Sequence, residues 1–225
     1  MNLNPMNLTP GADLHVHSCF SDGLEEPAEL LRLARGRLSL LSICDHDTIR
    51  AYDDLPSSEE LHVLPGIEIS TRHQEHSVHL LGYFPNGFTN TFRHEADRLQ
   101  EARRERILAG IHKLRERGIP LRKALLEEII GVGVPCRSHV ARALIRMGMA
   151  RSIKVIFERY LNDGGFGKAG ISTTDAIALV RCEGGVPVWA HPVPQHVEEH
   201  GAELAEAGLQ GLEVYLPRPK AGTRR

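Results

Sequence analysis

The sequence has few cysteines, no long apolar run and almost no net charge. Its four cysteines lie far apart and form no Cys-x-x-Cys pair, which argues against a thiolate zinc site and a disulfide framework. No apolar segment approaches the roughly 18 residues of a membrane-spanning helix. The formal net charge of -2 provides no basic field for long nucleic acids or anionic membranes, so an anionic substrate must be held by local charges.

The remaining composition is that of one globular domain. Of 225 residues, 41% are apolar and 25% are charged, which is enough to bury a core. Residues 1–11 lack the basic and apolar regions of a signal peptide and are predicted to be a flexible lead-in, so a cytoplasmic location is expected. The polar, basic residues 218–225 are predicted to form a flexible tail.

Strand-like and helix-like segments alternate over most of the chain. The predicted strands are one that opens at Ala12 and others at 38–44, 61–70, 77–84, 186–190 and 211–216. Predicted helices begin at Pro27 and cover 174–181 and 202–207. This alternation predicts a mainly parallel α/β sheet or barrel, with its site at the carboxyl ends of the strands.

A purely helical pattern interrupts this alternation. Helices are predicted over 92–117, 122–130, 138–147 and 153–161. We therefore expect a barrel built from 12–90 and 166–217, with 91–165 as a helical insertion. The insertion is predicted to lie over the strand ends as a lid and substrate clamp.

Histidines and carboxylates cluster near the ends of the predicted strands. In the first strand, side-chain alternation places His15 and His17 on one face, and Asp22 follows in the next turn. The candidate ligands are His15, His17, Asp22, His46, Glu68, His79 and His191. Mixed imidazole and carboxylate donors are typical of Mn, Zn or Fe sites, and their number suffices for more than one ion. Metal-assisted hydrolysis is the predicted reaction class.

Three further carboxylates lie close to these ligands in the sequence. Asp13 shares the strand face of His15, and Asp45 and Asp47 flank His46. We expect all three to act as acceptors that orient ligand histidines.

Six short motifs in a fixed order resemble a known family. They are D-L-H-V-H-S at 13–18, S-D-G at 21–23, D-H-D-T at 45–48, G-I-E-I-S at 66–70, V-H-L-L-G-Y at 78–83 and A-H-P at 190–192. Together they resemble the PHP (polymerase and histidinol phosphatase) family, especially its stand-alone metal-dependent phosphoesterases. This branch includes nucleoside 3',5'-bisphosphate phosphatases and 5'-3' exoribonucleases. The resemblance implies a distorted (β/α)7 barrel holding two or three divalent metals at the seven candidate ligands, manganese first, with zinc or iron as alternatives.

The resemblance also indicates a phosphate-binding set. Arg103 and Arg106 lie three residues apart on the long predicted helix, and Arg137 precedes His139 in R-S-H. These four residues resemble the family's substrate-binding positions, and guanidinium groups bind phosphate oxygens in pairs. The alternative for the R-R-E-R run is a solvent-exposed helix face.

The sequence departs from the family at its C-terminal end. Members of this branch continue beyond G-L-E-V-Y to a strand ending in Asp-x-His, which completes the metal cluster. No Asp-x-His follows Glu213 here. We therefore expect a shortened barrel in which Glu68, His79 and His191 keep their site, whereas the other ligands each lose a partner.

Three functions follow from these patterns. The first is a phosphomonoesterase that acts on a nucleoside 3',5'-bisphosphate or a short oligonucleotide through metal-activated water. The second is a weakened or truncated module that binds metal and phosphate ligands without turnover, and the third is a histidinol phosphatase. An uncovered barrel edge also predicts a homodimer.

Overall fold

The structure, a computed structural model, describes residues 11–58, 60–162 and 165–215. The predicted tail at 218–225 and all but the last residue of the predicted lead-in lie outside these residues. That last residue, Gly11, opens the first strand. None of the described helices combines the length and apolar character needed to cross a membrane.

Among the described residues, seven strands form two sheets, one parallel and one of mixed direction. They are β1 (Gly11–Val16), β2 (Leu38–Ile43), β3 (His62–Val63), β4 (Gly66–His73), β5 (His76–Tyr83), β6 (Val186–Trp189) and β7 (Gly211–Leu212). The first sheet, β1-β2-β3, is parallel. In the second sheet, β4-β5-β6-β7, the first two pairs are antiparallel and the last is parallel. A mixed α/β fold is confirmed, but no ladder joins β1 to β7 among these strands.

Two strand predictions are wrong in detail. The predicted mainly parallel sheet fails at β4 and β5, because only Gln74 and Glu75 separate them and so short a connection makes an antiparallel hairpin. The predicted strand 61–70 is divided into β3 and β4 by Pro65, which has no amide hydrogen to donate to a ladder.

In the part of the chain that the structure describes, seven α-helices accompany the sheets. They are α1 (Pro27–Ala34), α2 (Asn90–Glu116), α3 (Lys123–Ile130), α4 (Arg137–Arg146), α5 (Ile153–Ile156), α6 (Thr173–Cys182) and α7 (Pro194–Glu206). The last begins eight residues before its predicted start, because Pro194 is suited to the first helical position. A π-helical turn, Phe157–Leu161, continues α5.

The apolar residues pack into separate clusters. One lies between the second sheet and the helices α2, α6 and α7, and contains the fully buried Phe92 and Leu80. Another lies within the helical region and contains Ile107 and Leu144. Because the helical region has its own apolar core, α2 can be packed at one end against the sheet and at the other against α3 and α4.

Tyr52 joins the two sheets where they lack a continuous ladder. Its hydroxyl accepts from the amides of Ile43 at the end of β2 and Gly66 at the start of β4, at 2.9 and 3.0 Å. The same hydroxyl donates to the Ile43 carbonyl at 2.7 Å. One partly buried side chain therefore replaces several backbone hydrogen bonds at this junction.

We expect Tyr52→Phe to lower the free energy of unfolding by about 1–3 kcal/mol, because buried amides lose their acceptor. Urea unfolding followed by circular dichroism measures the change. Tyr215→Phe, at a side chain that is 93% exposed, is the matched control. Equal stability of the two variants would show that the hydroxyl does not hold the junction.

Candidate metal centre and anion cavity

Glu68 lies at the centre of a ring of imidazoles. Its carboxylate is 1% exposed, and both oxygens face histidine nitrogens. Oε2 lies 3.3, 3.3 and 2.9 Å from nitrogens of His15, His17 and His46, and Oε1 lies 2.8 and 3.0 Å from nitrogens of His79 and His191. The structure thus brings the predicted histidines together around one carboxylate.

Several different chain segments supply this ring. His15 lies in β1 and His17 just after it, while His46 and Glu68 form an isolated parallel bridge between the two sheets. Glu68 and His79 lie within strands rather than at strand ends. His191 follows β6 with a left-handed φ of 33°. Such a conformation is uncommon outside glycine and is found mainly where the surrounding structure enforces it.

Asp22 lies on one side of the ring, held by the helical region. Its Oδ1 is 3.7 Å from His17 Nδ1 and 3.9 Å from His46 Nε2. Ser138 of α4 donates to its other oxygen at 2.7 Å, and Arg142 donates to its backbone carbonyl. The start of α4 therefore positions this ligand candidate.

The ionisation states of Glu68 and His46 suit metal ligation. Burial would raise the pKa of Glu68, but His46 and His79 hold it well below its usual range, so the carboxylate is ionised. Burial lowers the pKa of His46 to about 4, despite the proximity of Glu68. At pH 7 this ring is therefore neutral and has a lone pair to offer.

Unpaired buried atoms provide a direct test of whether metal fits here. His15 Nε2, His46 Nδ1 and Glu68 Oε2 are buried without a hydrogen-bond partner. Buried polar atoms are rarely left unpaired, and neutral imidazole with carboxylate is a common metal donor set. Three overlapping groups have donor atoms within 4.8 Å of one another: His15, His17 and Glu68; His17, Asp22 and His46; His46, Glu68 and His79. The donor set fits divalent metal ions.

The orienting contacts differ from those predicted. Asp13 is exposed and accepts from the backbone amide of His15, whereas Glu213 contacts the His15 ring at 3.0 Å. Glu213 also accepts from the His191 amide at 2.6 Å. Asp45 accepts from Ser18 and Ser21 instead of a histidine. Sequence reasoning placed Glu213 on a short strand but did not include it in the site.

The predicted arginines line a cavity of about 200 Å³ beside the cluster. Arg103 is 6% exposed, and its Nη1 donates to Asp47 and Ser70, each at 2.8 Å. Arg106 Nη2 lies 3.9 Å from Asp47. Arg137 has no carboxylate partner among the described residues and lies over the Phe157 ring. The cavity wall therefore carries positive charge that its carboxylates do not fully pair.

This placement decides between the two interpretations of R-R-E-R. Arg103 and Arg106 face the cavity, whereas Arg104 between them is half exposed and lies 3.8 Å from Glu101. Burial and the neighbouring Arg103 lower the pKa of Arg106, which is the electrostatic effect of concentrating like charges. The prediction of a solvent-exposed helix face therefore fits Arg104 but not Arg103 or Arg106.

His139 lies away from the cavity lining. It is 1% exposed, and its Nδ1 accepts from the Cys136 amide at 3.1 Å at the start of α4. Burial lowers its pKa to about 4. In this structure His139 fixes the helix that carries Arg137 and Ser138.

The chain is similar to nucleases and phosphatases, although no family model matches it. It is 33% identical over 200 residues to a 5'-3' exoribonuclease of Haemophilus influenzae, covering 83% of this chain and 70% of that protein. It is 32% identical over 223 residues to the 5'-3' exoribonuclease Rnm of Escherichia coli, covering 88% and 75%. It is 28% identical over 220 residues to a 3',5'-nucleoside bisphosphate phosphatase of Chromobacterium violaceum, covering 90% and 75%.

Two solved structures share the fold. One, from Bifidobacterium adolescentis, is provisionally named a metal-dependent phosphoesterase; it has a TM-score of 0.77 and 28% identity, and the match covers 91% of this chain and 77% of that one. The other is an amidohydrolase from Chromobacterium violaceum with bound sulfate, with a TM-score of 0.73, 27% identity and coverage of 90% and 76%.

We expect His139 to make stability depend on pH. Its pKa is about 4 when folded and near 6.5 when unfolded, so the unfolded chain binds more protons between these values and stability falls as pH drops from 6.5 to 4. Once the pH has fallen below 4, protonation of His139 is expected to have lowered the free energy of unfolding by roughly 3 kcal/mol.

The comparison of wild type with His139→Asn separates the effect of His139 on stability from that of the other histidines. The asparagine amide oxygen can still accept from the Cys136 amide. Chemical unfolding at pH 6.5 and pH 4 should show a steeper loss in wild type. Parallel losses in the two proteins would contradict the assignment.

Proposed function

This chain belongs to the PHP family of metal-dependent phosphoesterases, and we propose that it hydrolyses a phosphomonoester of a nucleoside 3',5'-bisphosphate or a short oligonucleotide. The observation that carries the proposal is the contact between two features. The metal-ligand cluster around Glu68 opens onto a cavity whose wall holds Arg103, Arg106 and Arg137. A phosphate in that cavity would meet metal ligands on one side and guanidinium groups on the other.

We assign the metal-binding role to the whole predicted ligand set. The residues are His15, His17, Asp22, His46, Glu68, His79 and His191. Two or three divalent ions, manganese first, with zinc or iron as alternatives, suit this mixture of donors. When bound, such ions neutralise phosphate charge and activate water for attack on phosphorus. Glu68 holds both sides of the set together, since each of its oxygens faces different histidines.

The arginines have distinct roles in this proposal. Arg103 donates to Asp47, Ser70, the Pro135 carbonyl and Cys136 with four of its five N–H groups, so it supplies a fixed positive charge. Arg106 and Arg137 are less constrained and reach the same cavity. They grip the non-reacting part of the substrate, where paired N–H donors match phosphate oxygens.

The finer architecture belongs to the same proposal. In this proposal the strands form a distorted (β/α)7 barrel, and 91–165 is the insertion that presents arginines over the metal cluster. Support comes from α2 and α4, which contribute Arg103, Arg106 and Arg137 to the cavity wall. A homodimer and a cytoplasmic location stay predictions from the sequence.

We expect His79→Ala to remove both manganese-dependent phosphate release and part of the bound metal. The variant deletes a donor 2.8 Å from Glu68, and activity should fall by at least about 100-fold. The assay measures phosphate release from a nucleoside 3',5'-bisphosphate, with metal content determined by mass spectrometry. His112→Ala, an exposed histidine on α2, is the control.

Three outcomes separate the functions under consideration. Turnover of the bisphosphonucleotide by wild type but not His79→Ala supports the proposal. Faster hydrolysis of histidinol phosphate than of the bisphosphonucleotide would contradict the proposal and indicate a histidinol phosphatase. Metal binding without turnover of either compound would indicate a non-catalytic module.

We expect Arg106→Ala to weaken substrate binding while leaving metal content unchanged. Loss of a hydrogen-bonded charge typically removes about 1.5–3 kcal/mol, so kcat/KM should fall roughly 10- to 100-fold, mainly through KM. Arg104→Ala is the matched control, because it lies in the same helix but outside the cavity lining. An unchanged KM in Arg106→Ala would remove this residue from the substrate clamp.

A further inference from the structure

A second histidine cluster lies outside the Glu68 site, between the β4–β5 turn and α7. His73 and His76 flank the turn, and His196 and His200 lie on the helix. The ring centroids of His73 and His200 are 4.8 Å apart, and those of His76 and His196 are 4.3 Å apart. Two pairs of imidazoles therefore meet across the interface between the hairpin and the helix.

Local geometry places these side chains together. His73 and His76 are directly paired in the antiparallel ladder, so their side chains lie on the same face. On α7, His196 and His200 are four residues apart and share a helix face. Glu199 and Glu203 each lie three residues after one of these histidines, which adds a carboxylate to each pair.

Unpaired buried atoms distinguish the inner pair of this cluster, His73 and His200, from the outer pair, His76 and His196. Among the described residues, five buried side-chain nitrogen or oxygen atoms have no hydrogen-bond partner. Three belong to the Glu68 centre, and the other two are His73 Nε2 and His200 Nε2. His73 is 5% exposed and His200 is 9% exposed. Buried imidazole nitrogens without a hydrogen-bond partner, which support metal binding at the Glu68 centre, are therefore also present in this cluster.

The donor atoms are also close enough to share an ion. His73 Nε2 lies 3.2 Å from Glu203 Oε2 without hydrogen-bond geometry. Donor atoms of His73, His200 and Glu203 all lie within 4.8 Å of one another. Two imidazoles and one carboxylate are a donor set that zinc takes in sites with an open fourth position.

We propose that His73, His200 and Glu203 bind one divalent transition-metal ion of the zinc type, at a centre separate from the one around Glu68. The outer group, His76, His196 and Glu199, has similar donor spacing but no unpaired buried atom. The inner group is therefore the assigned site.

The position of this centre gives it a structural role. His73 lies five residues after Glu68 in β4, and α7 begins three residues after His191. An ion bound to both elements would fasten the hairpin to the helix and so hold two segments that supply the Glu68 cluster. Glu203 is more than half exposed, which leaves a route for metal entry.

A zinc titration of the metal-free 225-residue chain tests the proposal. A chromophoric chelator that competes for zinc reports the number of tight sites and their affinities. We expect His73→Ala/His200→Ala to bind one zinc equivalent fewer than wild type, with the Glu68 cluster intact in both. Equal numbers of tight sites in the two proteins would overturn the assignment.

Glu203→Gln tests the same site if the His73→Ala/His200→Ala variant does not fold. Its side chain is largely at the surface, so the fold should persist, while zinc affinity at one site should fall by at least about 10-fold. Glu206→Gln, an exposed glutamate on the same helix, is the matched control. Unchanged affinity in Glu203→Gln would show that these groups form ordinary histidine–carboxylate pairs without metal.

A second measurement separates this centre from the catalytic proposal. Zinc should raise the melting temperature of His79→Ala more than that of the same variant carrying Glu203→Gln. This comparison needs no phosphatase activity, so it holds even if the proposed function fails. Identical zinc-dependent shifts in the two proteins would contradict a structural metal at α7.

Discussion

The structure depends on the burial of one carboxylate. An ionised Glu68 that is 1% exposed is costly to desolvate unless it is surrounded by compensating groups. Those groups come from several separate segments of the chain: the β1 end, the loop after β2, the middle of β5 and the loop after β6. Each segment must therefore reach its place for the carboxylate to be tolerated, which couples the site to the whole sheet arrangement.

The strand arrangement follows from that requirement. The tight β4–β5 hairpin places Glu68 and His79 on adjacent strands, with Glu68 Oε1 2.8 Å from His79 Nδ1. A parallel pair would need a crossover connection of about a dozen residues between the two strands. The boundary between the two sheets lies between β3 and β4, where Pro65 has no amide hydrogen to donate to a ladder. Tyr52 and the His46–Glu68 bridge join the sheets across it, so contacts outside the regular ladders complete the framework.

Local patterns in the sequence were enough to predict the elements and the histidines, but not their neighbours. Alternation and apolar runs predicted β1, β2 and the long α2, since these signals depend only on adjacent residues. The antiparallel direction of β5 depends on a two-residue turn without glycine, and Gln74 adopts its left-handed φ of 49° there. Asp13 is predicted to orient a ligand histidine, yet the carboxylate that contacts the His15 ring is that of Glu213, 198 residues away in sequence. No local pattern reports such a pairing.

The adjacent residues His46 and Asp47 link the metal cluster to the anion cavity. Asp47 has a left-handed φ of 52°, and the two neighbouring side chains contact different groups: His46 contacts Glu68, and Asp47 contacts Arg103. Asp47 also accepts from the Ser70 amide, two residues beyond Glu68. A shift of this dipeptide would displace a candidate metal ligand and the Arg103 guanidinium together. Asp47 hydrogen-bonds to Arg103 and lies 3.9 Å from Arg106, so it does not fully pair the positive charge of Arg103, Arg106 and Arg137 beside the candidate metal ligands.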